Sequence, residues 1–280
     1  MNPPLTGQVV FITGASRGIG RAIALAAARA GAHIVIAAKT TEPHPKLPGT
    51  IHTVADEVRA LGVEALPLAL DVRDAIAVQD AFAAVGKKFG RLDALVNNAG
   101  AITLTNVEDT PVKRFDLMLE VNARALFVCA KAALPLLRAG ETRGGRHIIS
   151  LSPPLNVKPR WLTPHAPYTL SKYGMTLLAQ GMAGEFAADK ISVTTLWPRT
   201  TIATAAIEFA VGAQLMALSR APEIMADAAL AILTTIDGSL NGRNLLDEDL
   251  LRERGATDFT RYAHDPAHAG QLYPDLFLDS

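Results

Sequence analysis

Cysteine is nearly absent from this 280-residue chain, aromatic residues are few, and net charge is zero. The single cysteine, Cys129, excludes an internal disulfide and any site built on several thiolates. None of the seven histidines stands with it at ligand spacing, so no metal is expected. Lys+Arg and Asp+Glu balance at 27 each, which leaves no electrostatic footprint for nucleic acid or an anionic membrane. No apolar run approaches the roughly 18 residues of a membrane helix. The start has no charged segment leading into an apolar one, and residues 276–280 do not form a peroxisomal signal. These absences predict a soluble cytoplasmic protein. Neither repeats nor low-complexity segments occur. What is abundant is apolar: 49% of residues, against 19% charged, predicts a globular chain with a sizeable core.

Short β-branched apolar runs predict strands at residues 9–13, 33–38, 65–70, 92–96, 147–151, 191–196 and 244–246. Helical patterns separate them at 21–29, 54–61, 75–89, 111–137, 167–188 and 221–233. Pro135 predicts a kink or an early stop, and the three prolines of 40–49 a loop. Strands that are apolar throughout and alternate with helices imply a parallel sheet covered on both faces. We expect one α/β domain, a doubly wound, Rossmann-type, seven-stranded sheet spanning 1–280, with 265–280 as an extended tail. Ligands of such sheets sit beyond the carboxyl ends of the strands. Gly14, Asp71, Asn97, Ser152 and Pro198 all fall there.

Thr13-Gly14-Ala15-Ser16-Arg17-Gly18-Ile19-Gly20 follows the first strand and opens the first helix. Gly14 permits a tight turn, Gly18 a close approach of backbone to pyrophosphate, and Gly20 close helix–strand packing. The end of the second strand reads Ala37-Ala38-Lys39-Thr40, without the acid that usually holds the ribose 2′-hydroxyl of NAD. Lys39 and Arg17 are two cations suited to a 2′-phosphate. NADP(H) is therefore expected over NAD(H), with NAD(H) the alternative. On the fifth of these helices, residues 167–188, Tyr168 and Lys172 lie four apart and share a face. A neighbouring ammonium favours phenolate, so Lys172 is expected to lower the Tyr168 pKa toward a working range.

Together, Thr13-Gly14-x-x-x-Gly18-Ile19-Gly20, Asn97-Asn98-Ala99-Gly100, Asn122, Ser152 and Tyr168-x-x-x-Lys172 resemble the short-chain dehydrogenase/reductase superfamily. The chain is similar, more narrowly, to the hydroxysteroid dehydrogenase-like protein 2 group. Residues 10–13, 36–40, Pro43-His44-Pro45-Lys46-Leu47, Ser152-Pro153-Pro154-Leu155-Asn156 and Trp197-Pro198 carry that likeness. Larger members of the group append a sterol-carrier-like domain that this sequence does not contain. The resemblance implies Tyr168 as general acid/base, Lys172 holding the nicotinamide ribose, Asn122 placing a relay water and Ser152 binding the substrate oxygen. It also implies Asp71 and Val72 near adenine, Asn98, Ala99 and Gly100 along the cofactor, and Pro198 and Ile202 at the carboxamide, the latter through its backbone. A homodimer or homotetramer acting on a small carbonyl or alcohol is implied as well.

Three departures stand out. Ser152 precedes Tyr168 by sixteen residues where thirteen is usual, and Ser150 is the alternative serine. Pro198-Arg199 replaces the usual Pro-Gly, with the following Thr one residue late. Residues 40–49 lengthen the adenosine side. His165 could border the site or merely start its helix. Trp161, Trp197, Phe209 and Met216 form an apolar substrate wall, or pack in the core or an interface. The expected activity is NADP(H)-dependent interconversion of a carbonyl and a secondary alcohol. The rival is a non-catalytic dinucleotide-binding sensor or scaffold, and reduction of an activated C=C bond is a lesser variant.

Overall fold

The computed structural model describes residues 3–45, 47–140, 145–210, 212 and 214–279. Lys46 and the side chain of Phe209, both singled out above, lie outside what is described. Seven strands form one sheet: β1 (Val9–Thr13), β2 (His33–Ala38), β3 (Ala65–Ala69), β4 (Ala94–Asn97), β5 (Arg146–Ser150), β6 (Ile191–Trp197) and β7 (Asn244–Leu246). Their order is β3-β2-β1-β4-β5-β6-β7, and every pairing is parallel. The helices are α1 (Gly18–Arg29), α2 (Ile51–Ala60), α3 (Ala75–Phe89), α4 (Val112–Leu119), α5 (Ala125–Ala139), α6 (Pro159–Leu162), α7 (Ala166–Glu185), α8 (Ala205–Ala210), α9 (Gln214–Ala217), α10 (Glu223–Leu233) and α11 (Asp247–Glu253).

Successive side chains of a strand point to opposite faces, so each apolar strand feeds two cores. Val10, Ile12, Ile34 and Ile36 pack with α1, α2 and α10 on one side. Val9, Phe11 and Val35 pack with Phe82, Leu126 and Met175 on the other. A third, smaller cluster holds Met118, Tyr168, Tyr173, Trp197 and Phe277. The chain winds outward from β1 to β3, then returns to β4 beside β1. That switch point opens a crevice at the carboxyl ends of β1 and β4. Cys129 is buried in the second core, and its thiol is pushed up to about 12 by burial, the behaviour of apolar filler.

The single helix expected over 111–137 is two helices joined by a π-turn at Glu120–Arg124. Pro135 does not stop α5, which runs on to Ala139. Pro135 and Lys131, whose carbonyl loses its helical donor, both face solvent, where water can satisfy that carbonyl. The short helices α6, α8, α9 and α11 carry no long periodic pattern and are additions from the structure. Among the described residues, no helix is long and apolar enough to cross a membrane. His264 and His268 are four apart, a spacing that metal sites use on helices. Here His264 precedes a 3₁₀ turn, Pro266–His268, that ends on His268, and His268 Nδ1 bonds Asp265 Oδ2 at 2.9 Å.

His147, on β5, is 2% exposed, and neither ring nitrogen has a partner among the described residues. Burial pushes it down to about 4. The unfolded chain takes up that proton near pH 6.5, so its stability contribution is full above about 6.5 and lost as pH falls toward 4. The loss amounts to about 3 kcal/mol across that window. His147→Leu is expected to lose less stability between pH 7 and 4.5 than the parent, as thermal melts at the two values will show.

Candidate functional site

The crevice is lined first by the turn after β1. Thr13 Oγ1 accepts from the Asn98 and Ala99 amides, both at 3.0 Å. Asn98 Nδ2 donates to the carbonyls of Thr13 (2.8 Å) and Gly14 (3.0 Å). These bonds tie the ends of β1 and β4 into one surface. Gly14 and Gly18 are left-handed, at φ 65° and 55°. A Cβ on Gly20 would sit 2.5 Å from both Asn98 Nδ2 and the Gly14 carbonyl. The result is bare backbone at the start of α1, whose N-cap, Arg17, makes no side-chain capping bond. Unsatisfied amides and the helix dipole make such a terminus suited to phosphate. Ser16 is buried and Ile19 packs on the first core, so neither side chain obstructs the turn. A Cβ on Gly18 would lie 3.4 Å from Thr204 Cγ2. The Thr that is one residue late thus still returns to the phosphate turn, and sequence spacing alone had not marked it as a site residue. This arrangement fits the pyrophosphate of a dinucleotide.

At the adenosine side, Arg17 donates to the Thr40 hydroxyl (3.2 Å) and to the carbonyls of Pro48 and Gly49 (both 3.1 Å). The long 40–49 segment is therefore docked on the phosphate turn. A Cβ on Gly49 (φ 89°) would come within 2.3 Å of the Ser16 carbonyl, so glycine is needed there. Lys39, 64% exposed at its side chain, lies 3.4 Å from Asp71. Arg73 binds Asp71 more closely, at 2.6 Å, and holds its carboxyl well below the usual range, with Lys39 adding to the effect. Exposed pairs of the Lys39 kind contribute about 0–1 kcal/mol, so Lys39 can turn to another anion at little cost. Val72 beside them is buried.

Tyr168 and Lys172 sit one turn apart on α7, 5% and 6% exposed. Lys172 Nζ donates to the Leu151 carbonyl at 2.6 Å and lies 5.1 Å from the Trp197 ring centre. Burial pushes Lys172 down to about 8, with Asp275 opposing. Tyr168 is driven above its ordinary value by burial first and Asp275 second. The expected lowering by Lys172 is thus not seen in this structure, where burial and Asp275 raise the phenol instead. The Ser152 hydroxyl lies 3.1 Å from that of Ser150, both fully buried, and is not bonded to the Tyr168 phenol. The two candidate serines therefore stand side by side. Asn122, within the π-turn, accepts from the Ala101 amide (2.9 Å) and donates to the Ala101 carbonyl (3.0 Å) and Ser171 Oγ (2.9 Å). Its side chain braces the loop bearing Gly100 against α7.

After β6, Arg199 needs no glycine-like conformation. It is absent from the left-handed region, and Asp247 Oδ1 accepts its amide at 2.8 Å. Four residues after Pro198, Ile202 is flanked by bonds from the Arg220 amide to the Thr201 carbonyl and from the Ala203 amide to the Arg220 carbonyl (2.9 and 2.8 Å). Its own N–H and C=O therefore face away from that bridge. Of the apolar candidates, Trp161 and Trp197 come together beside Tyr168, whereas Met216 is not part of that cluster. His165 does border the site, its ring 6.5 Å from that of Tyr168.

The site also contains part of the tail expected over 265–280, which no local pattern tied to it. Residues 273–279 cross the carboxyl end of the sheet. Asp275 N–H donates to the Arg199 carbonyl (3.1 Å), and Trp197 Nε1 donates to the Leu276 carbonyl (3.1 Å). Phe277, 1% exposed, stacks 6.2 Å from Tyr168. Asp275 is buried beside Lys172, and burial pushes its carboxyl up to about 7.

A short-chain dehydrogenase family description matches residues 8–210. The human hydroxysteroid dehydrogenase-like protein 2 is 50% identical over 275 residues, covering 98% of this chain, which spans only 64% of that protein's length. A crystal structure from Xanthomonas campestris shares 50% identity and a TM-score of 0.93, with 99% of each chain covered. Further off, a metagenomic short-chain oxidoreductase in complex with NADP is 28% identical, with 87% of this chain and 97% of that one covered (TM-score 0.70). A 7α-hydroxysteroid dehydrogenase complexed with NADH is 25% identical, with 88% and 94% covered (TM-score 0.72). Sheet order, phosphate turn and sequence similarity agree, and the chain belongs to the short-chain dehydrogenase family.

Proposed function

We propose that this chain interconverts a carbonyl and a secondary alcohol on an apolar small molecule, using NADP(H) and Tyr168 as general acid/base. One observation carries the proposal. Tyr168 and Lys172 are buried together on α7, over the β5 exit that holds Ser152 and the Leu151 carbonyl. When bound, the dinucleotide supplies or accepts the hydride. The residues do the rest. Bare backbone from Gly14 to Gly20 takes the pyrophosphate, and Lys172, aimed by Leu151, holds the nicotinamide ribose. Ser152, supported by Ser150, bonds the substrate oxygen and polarises it. Tyr168 gives that oxygen a proton, and its burial keeps the phenol protonated at neutral pH, which suits reduction. With the Asn122 side chain engaged, its main chain is what it offers a proton relay.

Lys39 and Arg17 support NADP(H): Arg17 is bonded to Thr40, next to Lys39, and the end of β2 carries no acid. A carbonyl panel assayed with NADPH and NADH tests both parts. NADPH consumption with an apolar carbonyl is expected, with a KM about tenfold below that for NADH, the scale of one charge-assisted bond. Lys39→Ala should narrow the ratio. A clear preference for NADH would sink the cofactor assignment. NADPH binding without turnover on any carbonyl would instead favour a non-catalytic sensor.

A further inference from the structure

Phe277 is a bulky residue held in the left-handed region, at φ 73°. Side chains with a Cβ avoid that region, and such a conformation persists only where its surroundings over-determine it. Here they do. Asn156 Nδ2 donates to the Phe277 carbonyl at 3.1 Å, and Asn156 is itself locked by Tyr173, whose hydroxyl donates to the Asn156 carbonyl at 2.6 Å. Two residues on, Asp279 pairs with Lys158 at 2.6 Å and with Arg160. The ring is set among five others: Tyr173 at 5.2 Å, His165 at 5.9 Å, Trp197 at 6.0 Å, Trp161 at 6.1 Å and the catalytic candidate Tyr168 at 6.2 Å.

Asn156, Lys158, Arg160, Trp161 and His165 all belong to the segment between Ser152 and Tyr168, which is longer than the family resemblance leads one to expect. The extra length and the tail are thus two halves of one feature. The long segment is the seat, and residues 275–279 are the strap fastened into it. The strap delivers a single large side chain to the face of the phenol.

We propose that Phe277 is a specificity-determining residue. Its ring is the wall against which a substituent on the carbonyl carbon packs, so the site takes compact, uncharged carbonyl compounds and rejects those with bulky ring substituents. The proposal rests on Tyr168 being the acid/base, and it deepens that reading by naming the substrate class. With the ring in place, Tyr168 is only 5% exposed, which leaves little room beside the phenol. Removing the ring opens an apolar cavity there, and such cavities stay dry and bind small aromatic molecules.

Two measurements on full-length Phe277→Ala and Phe277→Leu test this. In the first, kcat/KM with NADPH is compared for ketones graded from compact aliphatic to bulky cyclic. The ratio of bulky to compact is expected to rise at least tenfold in Phe277→Ala and by less in Phe277→Leu, within the range that pocket methylenes command. A ratio unchanged in both variants, or a parent enzyme that prefers the bulky ketones, overturns the proposal. The second measurement needs no turnover. Both tryptophans of the chain, Trp161 and Trp197, lie against Phe277. Toluene should therefore change their emission saturably in the variants and not in the parent. No saturable change in a variant that melts cooperatively, or an equal change in the parent, overturns the proposal. Should Phe277→Ala not fold, Phe277→Leu carries both measurements. A parent without turnover on any carbonyl refutes the proposed activity, while the toluene titration still decides whether Phe277 is the wall.

Discussion

Tyr168→Phe is expected to bind NADPH within about twofold of the parent and to lose at least a hundredfold in kcat, the scale of a general acid. The substitution removes one oxygen. That hydroxyl makes no hydrogen bond to the described residues, while the ring keeps its packing against Phe277 at 6.2 Å. Stability should therefore change by no more than about 1 kcal/mol. Turnover, in contrast, loses the group that gives its proton to the substrate oxygen. Neighbouring Ser152 and Ser150 can still bond that oxygen, so binding of substrate suffers less than the chemical step. Steady-state kinetics with NADPH, beside a titration of NADPH binding, separates the two. Retained turnover in the variant would refute Tyr168 as the acid.

A second large effect is expected at Gly20. In Gly20→Ala, the new methyl would meet Asn98 Nδ2 and the Gly14 carbonyl at 2.5 Å, and Ala15 Cα at 3.0 Å. None of these is the free end of a flexible chain. Asn98 Nδ2 is already held by the carbonyls of Thr13 and Gly14, and the other two atoms are backbone. Either α1 moves off β4 or the phosphate turn opens. Overpacking of this kind costs about 1–3 kcal/mol, and the amides of the first turn are displaced with it. NADPH affinity is expected to fall at least tenfold, with a clear drop in Tm. Wild-type affinity in the variant would show that the turn does not hold the pyrophosphate.

Much of the architecture is legible before folding because it rests on local rules. β1, β2, α3 and β7 have the bounds that their apolar runs and helical spacing predict. Gly14 and Gly18 are left-handed where the turn requires it. The misses share a cause. The π-turn at Asn122 breaks a helix whose sequence is periodic on either side, and only the contacts of Asn122 with Ala101 and Ser171 show why. Pro135 does not end α5 because its exposed face lets water replace the lost bond. Thr204 reaches Gly18 although its spacing from Pro198 is shifted, because the chain between them is bridged to Arg220 rather than run straight.

The sequence by itself determined the alternating strands and helices, the phosphate turn, and the shared face of Tyr168 and Lys172. Each depends on residues a few positions apart, through backbone sterics and periodicity. The environment of that pair was decided only by tertiary structure. Residues 4 apart predict an ammonium beside a phenol and a lowered pKa. The fold instead buries both, aims Lys172 at Leu151 and roofs Tyr168 with Phe277 beside a buried Asp275. Desolvation depends on everything packed around a group, and here it comes from the 153–165 segment and a tail about a hundred residues further on. No local pattern joins those stretches, so the substrate side of the site exists only in three dimensions.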